Sequence, residues 1–84
     1  MSTSYILINS DLGTDAAIIG KIKEILDGEK NIQYEIQGVY GVYDIILKLS
    51  SDDINTLRST ITNKIRKITS VQSTLTMMVI EGQE

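Results

Sequence analysis

Eighty-four residues make one domain, 1–84, whose core buries only roughly 60–65 % of the unfolded surface, and without cysteine neither disulfides nor a thiolate metal site can reinforce it; association with a second copy is the route left. With no histidine either, the commonest general acid–base, the commonest covalent nucleophile and nearly all transition-metal ligand sets are excluded. A net charge of −3 argues against a phosphate-gripping surface for nucleic acid, no apolar run approaches the roughly 20 residues that span a bilayer, and residues 1–4 lack the basic start of a signal peptide, so a cytoplasmic protein is expected.

The chain opens with a short β-prone run, residues 5–9, closed by the polar Ser10-Asp11-Leu12-Gly13. Ile18, Ile19, Ile22, Ile25 and Leu26 then recur at helical spacing between Thr14, which suits an N-cap, and Gly28, which suits a helix end. Residues 32–37 alternate apolar and polar, predicting a strand with one wet face; a turn follows around residues 38–41. Residues 43–49 pair with it as a hairpin, with Ile45, Leu47 and Leu49 on one face and Asp44, Ile46 and Lys48 on the other. Ile54, Leu57, Ile61, Ile65 and Ile68 line one stripe of a second helix, which Ser50 or Ser51 would cap. Asp52 and Asp53 suit its positive end and Lys64, Arg66 and Lys67 its negative end, so neither group needs a partner to explain it. Residues 71–80 form the last strand, one face carrying Leu75, Met77 and Val79, the other Thr74, Thr76, Met78 and Ile80.

The order β-α-β-β-α-β predicts an α+β, ferredoxin-like fold: a four-stranded antiparallel sheet with both helices on one face. The other face is the informative one. Tyr5 and Leu7, or Ile6 and Ile8, must point there, with Ile46, Met78 and Ile80 expected beside them. Such an apolar face is a liability for a monomer and predicts a second subunit packed sheet on sheet.

Gly41-Val42-Tyr43-Asp44, leading into the apolar strand Ile45-Ile46-Leu47-Lys48, resembles the ligand-sensing (RAM) domain of the Lrp/AsnC family of regulators. The stretch from Ile68 to Ile80, with Val71-Gln72-Ser73-Thr74-Leu75-Thr76 at its centre, is similar to that family's second hallmark, a Val-x-x-Thr-x-Thr segment entering the last strand. The resemblance runs over essentially the whole chain. It implies a domain that dimerises through its sheets and assembles further into rings such as octamers, with small effectors, typically amino acids, held at subunit interfaces near the hairpin turn and the last strand. The helix-turn-helix of full-length relatives is not expected here, so the resemblance implies a stand-alone form, without direct contact to nucleic acid, that modulates full-length regulators by mixed assembly. No cofactor is implied. Tyr40 departs from the small or hydroxylated residue common before the motif glycine.

The candidate ligand-binding residues are Tyr40, Gly41, Tyr43, Asp44, Thr74 and Thr76. Gly41 either leaves room for a ligand or serves only as a turn glycine with positive φ. Asp44 either accepts an α-ammonium group or anchors turn amides. Thr74 and Thr76 share a face, where their hydroxyls either hold a carboxylate or simply suit a strand. Tyr34, Tyr40 and Tyr43 either form an aromatic wall or pack the hairpin. The leading reading is a non-catalytic sensing and oligomerisation module. Its rivals are a small dimeric α+β barrel enzyme and a purely structural assembly domain.

Overall fold

The structure, a computed structural model, describes residues 1–80. Strand β1 (Ser2–Ser10) leads to helix α1 (Asp15–Asp27), then β2 (Gln33–Gly38), β3 (Ile45–Ser51), helix α2 (Ile54–Thr60) and β4 (Val71–Met78). Helix α2 runs on without interruption into one π turn, Ile61–Ile65, marked by the Arg66 amide donating to the Ile61 carbonyl at 3.0 Å. The sheet order is β2-β3-β1-β4 with every pairing antiparallel, the ferredoxin-like βαββαβ arrangement expected from the periodicities.

The core is aliphatic throughout. Ile6 and Ile8 of β1 and Ile45, Leu47 and Leu49 of β3 meet Ile18, Ile22 and Leu26 of α1 and Leu57, Ile61 and Ile65 of the second helical segment. Each side chain of that size contributes about 1.5–3 kcal/mol when removed from water. The two central strands alternate strictly, so each turns one apolar row towards the helices.

Helix starts differ from the sequence reading. Strand β3 runs two residues further than expected, which places Ser50 and Ser51 in the sheet, and Asp53 becomes the N-cap of α2. Its Oδ1 accepts from the amides of Asn55 (2.9 Å) and Thr56 (3.3 Å), and Oδ2 accepts from the Thr56 hydroxyl at 3.0 Å. The same bonds hold the Asp53 carboxyl below its ordinary pKa, the Thr56 hydroxyl contributing most. The Thr14 hydroxyl points back to the Asp11 carbonyl (2.7 Å), closing the turn at Gly13 (φ +77°) instead of capping α1. Gly28 ends α1 with right-handed backbone, so its helix end makes no use of glycine's left-handed range.

Strand β4 also presents its faces the other way round. Near its start Ser10 lies opposite Val71, but the next pairs are Asn9 with Ser73, Ile8 with Thr74 and Ile6 with Thr76. Gln72 is the extra residue of a β-bulge. Side chains alternate with a period of two, so one inserted residue exchanges the faces of everything after it. Thr74, Thr76 and Met78 therefore lie on the helix side, where Met78 pairs with Ser4, and Leu75 and Met77 lie on the open side opposite Leu7 and Tyr5. Ile80 follows the strand and is largely exposed. The expectation that Met78 and Ile80 furnish the open face is thus corrected: Leu75 and Met77 do so.

The molecule measures 38 × 28 × 17 Å, and the short dimension holds a sheet and one helical layer only. The second face of the sheet is bare. Across it run the pairs Ile46–Leu7–Leu75 and Lys48–Tyr5–Met77, with Gln37 and Glu35 completing the two rows on β2. Leu75 and Met77 are each 45 % exposed and Ile46 36 %.

Candidate functional site

Residues 39–44 form the loop between β2 and β3. Its neck is closed by the Val39 amide donating to the Asp44 carbonyl at 2.8 Å, while the Asp44 amide donates to the Ile8 carbonyl at 3.0 Å and so extends the β3–β1 ladder. Asp44 is the root of the loop. Its Oδ2 accepts from both the amide (2.9 Å) and the hydroxyl (3.2 Å) of Ser10, at the end of β1. The anchoring role is therefore filled, by a partner that sequence inspection did not single out; a serine closing a strand was the only signal available. Both bonds go to one oxygen, and among the described residues Oδ1 accepts none.

The tip of the loop faces solvent. Gly41 has φ +145°, a conformation side-chain-bearing residues rarely adopt, and a Cβ built there would meet nothing within 4 Å. Within one subunit it is the backbone conformation, and no crowding by neighbours, that calls for glycine at this position. Tyr40 and Val42 on either side of it are almost wholly exposed, and Tyr43 is half-buried. Tyr34 stands apart: its hydroxyl donates to Asp27 Oδ1 (2.7 Å) on α1, which raises its pKa above 10.0. A wall of Tyr34, Tyr40 and Tyr43 does not form, because Tyr34 faces the helical layer while the others ride on the loop.

Thr74 lies in the sheet row Gly38–Ile45–Ile8–Thr74, one row from Asp44 and on the far side of β1. Two strand spacings, about 10 Å of backbone, separate the two residues. Thr76 lies opposite Ile6, two residues further from the loop. The structure thus brings Asp44 to Ser10 and sets Thr74 and Thr76 side by side on the edge strand, but it does not bring these two groups into contact within one subunit. Among the described residues no group of three or more His, Cys, Asp or Glu side chains is placed to hold a metal ion.

The model of the Lrp/AsnC ligand binding domain matches residues 3–82. Among solved structures, the chain is 34 % identical to FFRP-DM1, with a TM-score of 0.77 and coverage of 95 % of this chain and all of that one. It is 35 % identical to the hypothetical protein PHS023 from Pyrococcus horikoshii, with a TM-score of 0.74 over 95 % of this chain and 90 % of that one. Escherichia coli AsnC is 25 % identical at a TM-score of 0.74, over 95 % of this chain but 51 % of AsnC, so the chain corresponds to about half of that protein. No curated protein sequence matches it. The βαββαβ order, the open apolar sheet face and the Gly-x-Tyr-Asp loop rooted on β1 are the features that this match covers. The chain belongs to the Lrp/AsnC ligand-binding domain family. No helix among the described residues is long and apolar enough to cross a membrane.

Proposed function

We propose that this protein is a cytoplasmic, non-catalytic regulatory module that self-associates through its open sheet face and binds a small effector, an amino acid, where copies meet. The observation that carries the reading is the bare apolar strip Ile46–Leu7–Leu75 with Tyr5 and Met77 beside it. A face of four strands of this length offers roughly 500 Å² before side-chain relief, about 1,000 Å² over two copies, the lower end of what a specific interface buries. Rings such as octamers follow if the exposed loop tips of such dimers meet one another. The effector site then lies between neighbouring dimers and not within the sheet-to-sheet contact, combining the loop of one copy, Tyr40, Gly41, Tyr43 and Asp44, with Thr74 and Thr76 on the helix side of the β4 edge of another. Tyr40 and Val42 give the loop an apolar tip with nothing to cover it in one subunit, the open Oδ1 of Asp44 suits an α-ammonium group, and the two threonine hydroxyls suit a carboxylate. Mixed assembly with full-length regulators of the same family is the regulatory consequence.

Light scattering across micromolar concentrations, with thermal-shift measurements against the twenty amino acids, tests this. The expected result is a dimer or larger ring whose melting temperature rises with one or a few amino acids. A monomer at all concentrations overturns the reading. An oligomer unmoved by any amino acid leaves an assembly domain and overturns the effector.

A further inference from the structure

A second feature lies on the opposite side of the molecule, in the helical layer. Helix α1 and the end of the second helical segment enclose a groove of about 350 Å³, within the range of small-molecule sites. Ile18, Ile25 and Ile68 give it an apolar floor, and Lys21, Lys64 and Lys67 stand around it. The protein has eleven acidic residues against eight basic ones, yet three lysines and no carboxylate line this groove. Their engagement differs. Lys64 is paired with Glu29, Lys21 is loosely paired with Glu24 at 3.7 Å, and Lys67 has no ion-pair partner among the described residues.

Two departures from regular backbone border the same groove. The π turn Ile61–Ile65 carries Lys64, and Ser70, with φ +78°, is the one non-glycine residue with positive φ among those described. Single π turns recur at functional sites, and backbone held in sparsely populated regions persists only where the surroundings over-determine it. Ser70 is held there by its carbonyl, which accepts from the Asp11 amide at 2.8 Å. Thr69 and Ser70 join the lining at this end.

We infer that this groove binds a small carboxylate with an apolar tail: the tail lies on Ile18, Ile25 and Ile68, and the carboxylate pairs with Lys67, assisted by Lys21. The unmatched cation above an apolar floor selects this chemistry. Lys67 is exposed and its charge is available to a ligand; a neutral hydrocarbon makes no use of it, and a compact inorganic anion leaves the floor wet. The inference does not rest on the effector reading, since the open sheet face and the loop lie elsewhere.

The test uses the whole chain and octanoate, below its micelle concentration, as the probe, followed by calorimetry and by methyl NMR of the isoleucines. Octanol and inorganic phosphate are the controls. Octanoate is expected to shift the methyls of Ile18, Ile25 and Ile68 and to bind at least tenfold more tightly than either control. Lys67→Glu is expected to remove that advantage while leaving the octanol signal in place, with only the small fall in melting temperature that an anion at the helix end brings. Octanol binding as well as octanoate, phosphate displacing octanoate at equal concentration, or shifts confined to other methyls overturns the proposal. So does loss of assembly in Lys67→Glu without octanoate binding to the wild type, which makes the groove a contact between copies.

Discussion

The Asp44 carboxylate takes two hydrogen bonds from a single residue, the amide and hydroxyl of Ser10, and so fastens the β2–β3 loop to the end of β1. Partly buried bonds to a charged acceptor contribute about 1.5–3 kcal/mol. Asp44→Ala is therefore expected to lower stability by about 2 kcal/mol in urea unfolding at fixed protein concentration. Asp44→Asn keeps an acceptor for Ser10 and is expected to cost less than half of that. If the same carboxylate also receives an α-ammonium group, the Asn variant loses amino-acid affinity far out of proportion to its stability. Equal losses in both variants would show that charge, not the acceptor, holds the loop.

Leu7 sits at the centre of the bare face, between Ile46 and Leu75. A lysine there puts a charge where a second sheet must pack, at a site half-buried in one subunit, from which its long stem can carry the ammonium to water. Leu7→Lys is expected to shift the light-scattering mass to that of a monomer while the circular-dichroism spectrum keeps its α+β form. Gln37→Lys, in the same row but at its polar end, is the control and leaves the mass unchanged. An oligomer that survives Leu7→Lys would place the contact elsewhere.

Periodicity made the architecture legible because the two central strands and both helices each bury one clean apolar row. Ile45 with Leu47 and Leu49, and Leu57 with Ile61 and Ile65, had no other way to be satisfied, whereas in β1 both Tyr5 with Leu7 and Ile6 with Ile8 are apolar pairs, and only the structure shows that Ile6 and Ile8 are the buried ones. What periodicity cannot carry is a single inserted residue. Gln72 has no side-chain property that marks a bulge, yet it exchanges the two faces of β4 and sends Thr74 and Thr76 to the helix side. The π turn is hidden for the same reason, since its stripe of isoleucines reads as ordinary helix. In the candidate site, loop residues 40–44 are together by chain continuity alone. The Asp44–Ser10 bond joins positions 34 apart in sequence and needed the strand order to be seen.

Asp53 gives the protein an acid-sensitive helix start. Its carboxyl is held below its ordinary pKa by the Thr56 hydroxyl and the amides of Thr56 and Asn55. A pKa depressed in the folded state means that the unfolded chain takes up the proton first as pH falls. The contribution is complete above the ordinary carboxyl range and disappears as pH drops through the lowered folded value. Comparing Asp53→Asn with the wild type, the difference in melting temperature is expected to be constant between pH 5 and 7 and to shrink below about pH 4. A difference that does not change with acidification would mean that the cap acts without its charge.

Ser70 pays for a left-handed backbone that its Cβ opposes, at a cost of roughly 1–2 kcal/mol. Glycine removes that cost but adds freedom to the unfolded chain worth roughly 0.5–1 kcal/mol, so Ser70→Gly is expected to stabilise by no more than about 1 kcal/mol. A β-branched residue has no such compensation, and Ser70→Val is expected to destabilise by more than 1 kcal/mol. The neighbouring contacts are mostly backbone, the Ser70 carbonyl accepting from Asp11 and the Val71 amide donating to Ile68 at 3.3 Å, so both variants keep the loop's hydrogen bonds. Urea midpoints measured at one protein concentration separate the two effects. A valine variant as stable as the wild type would show that the chain passes from the second helical segment into β4 by another backbone path.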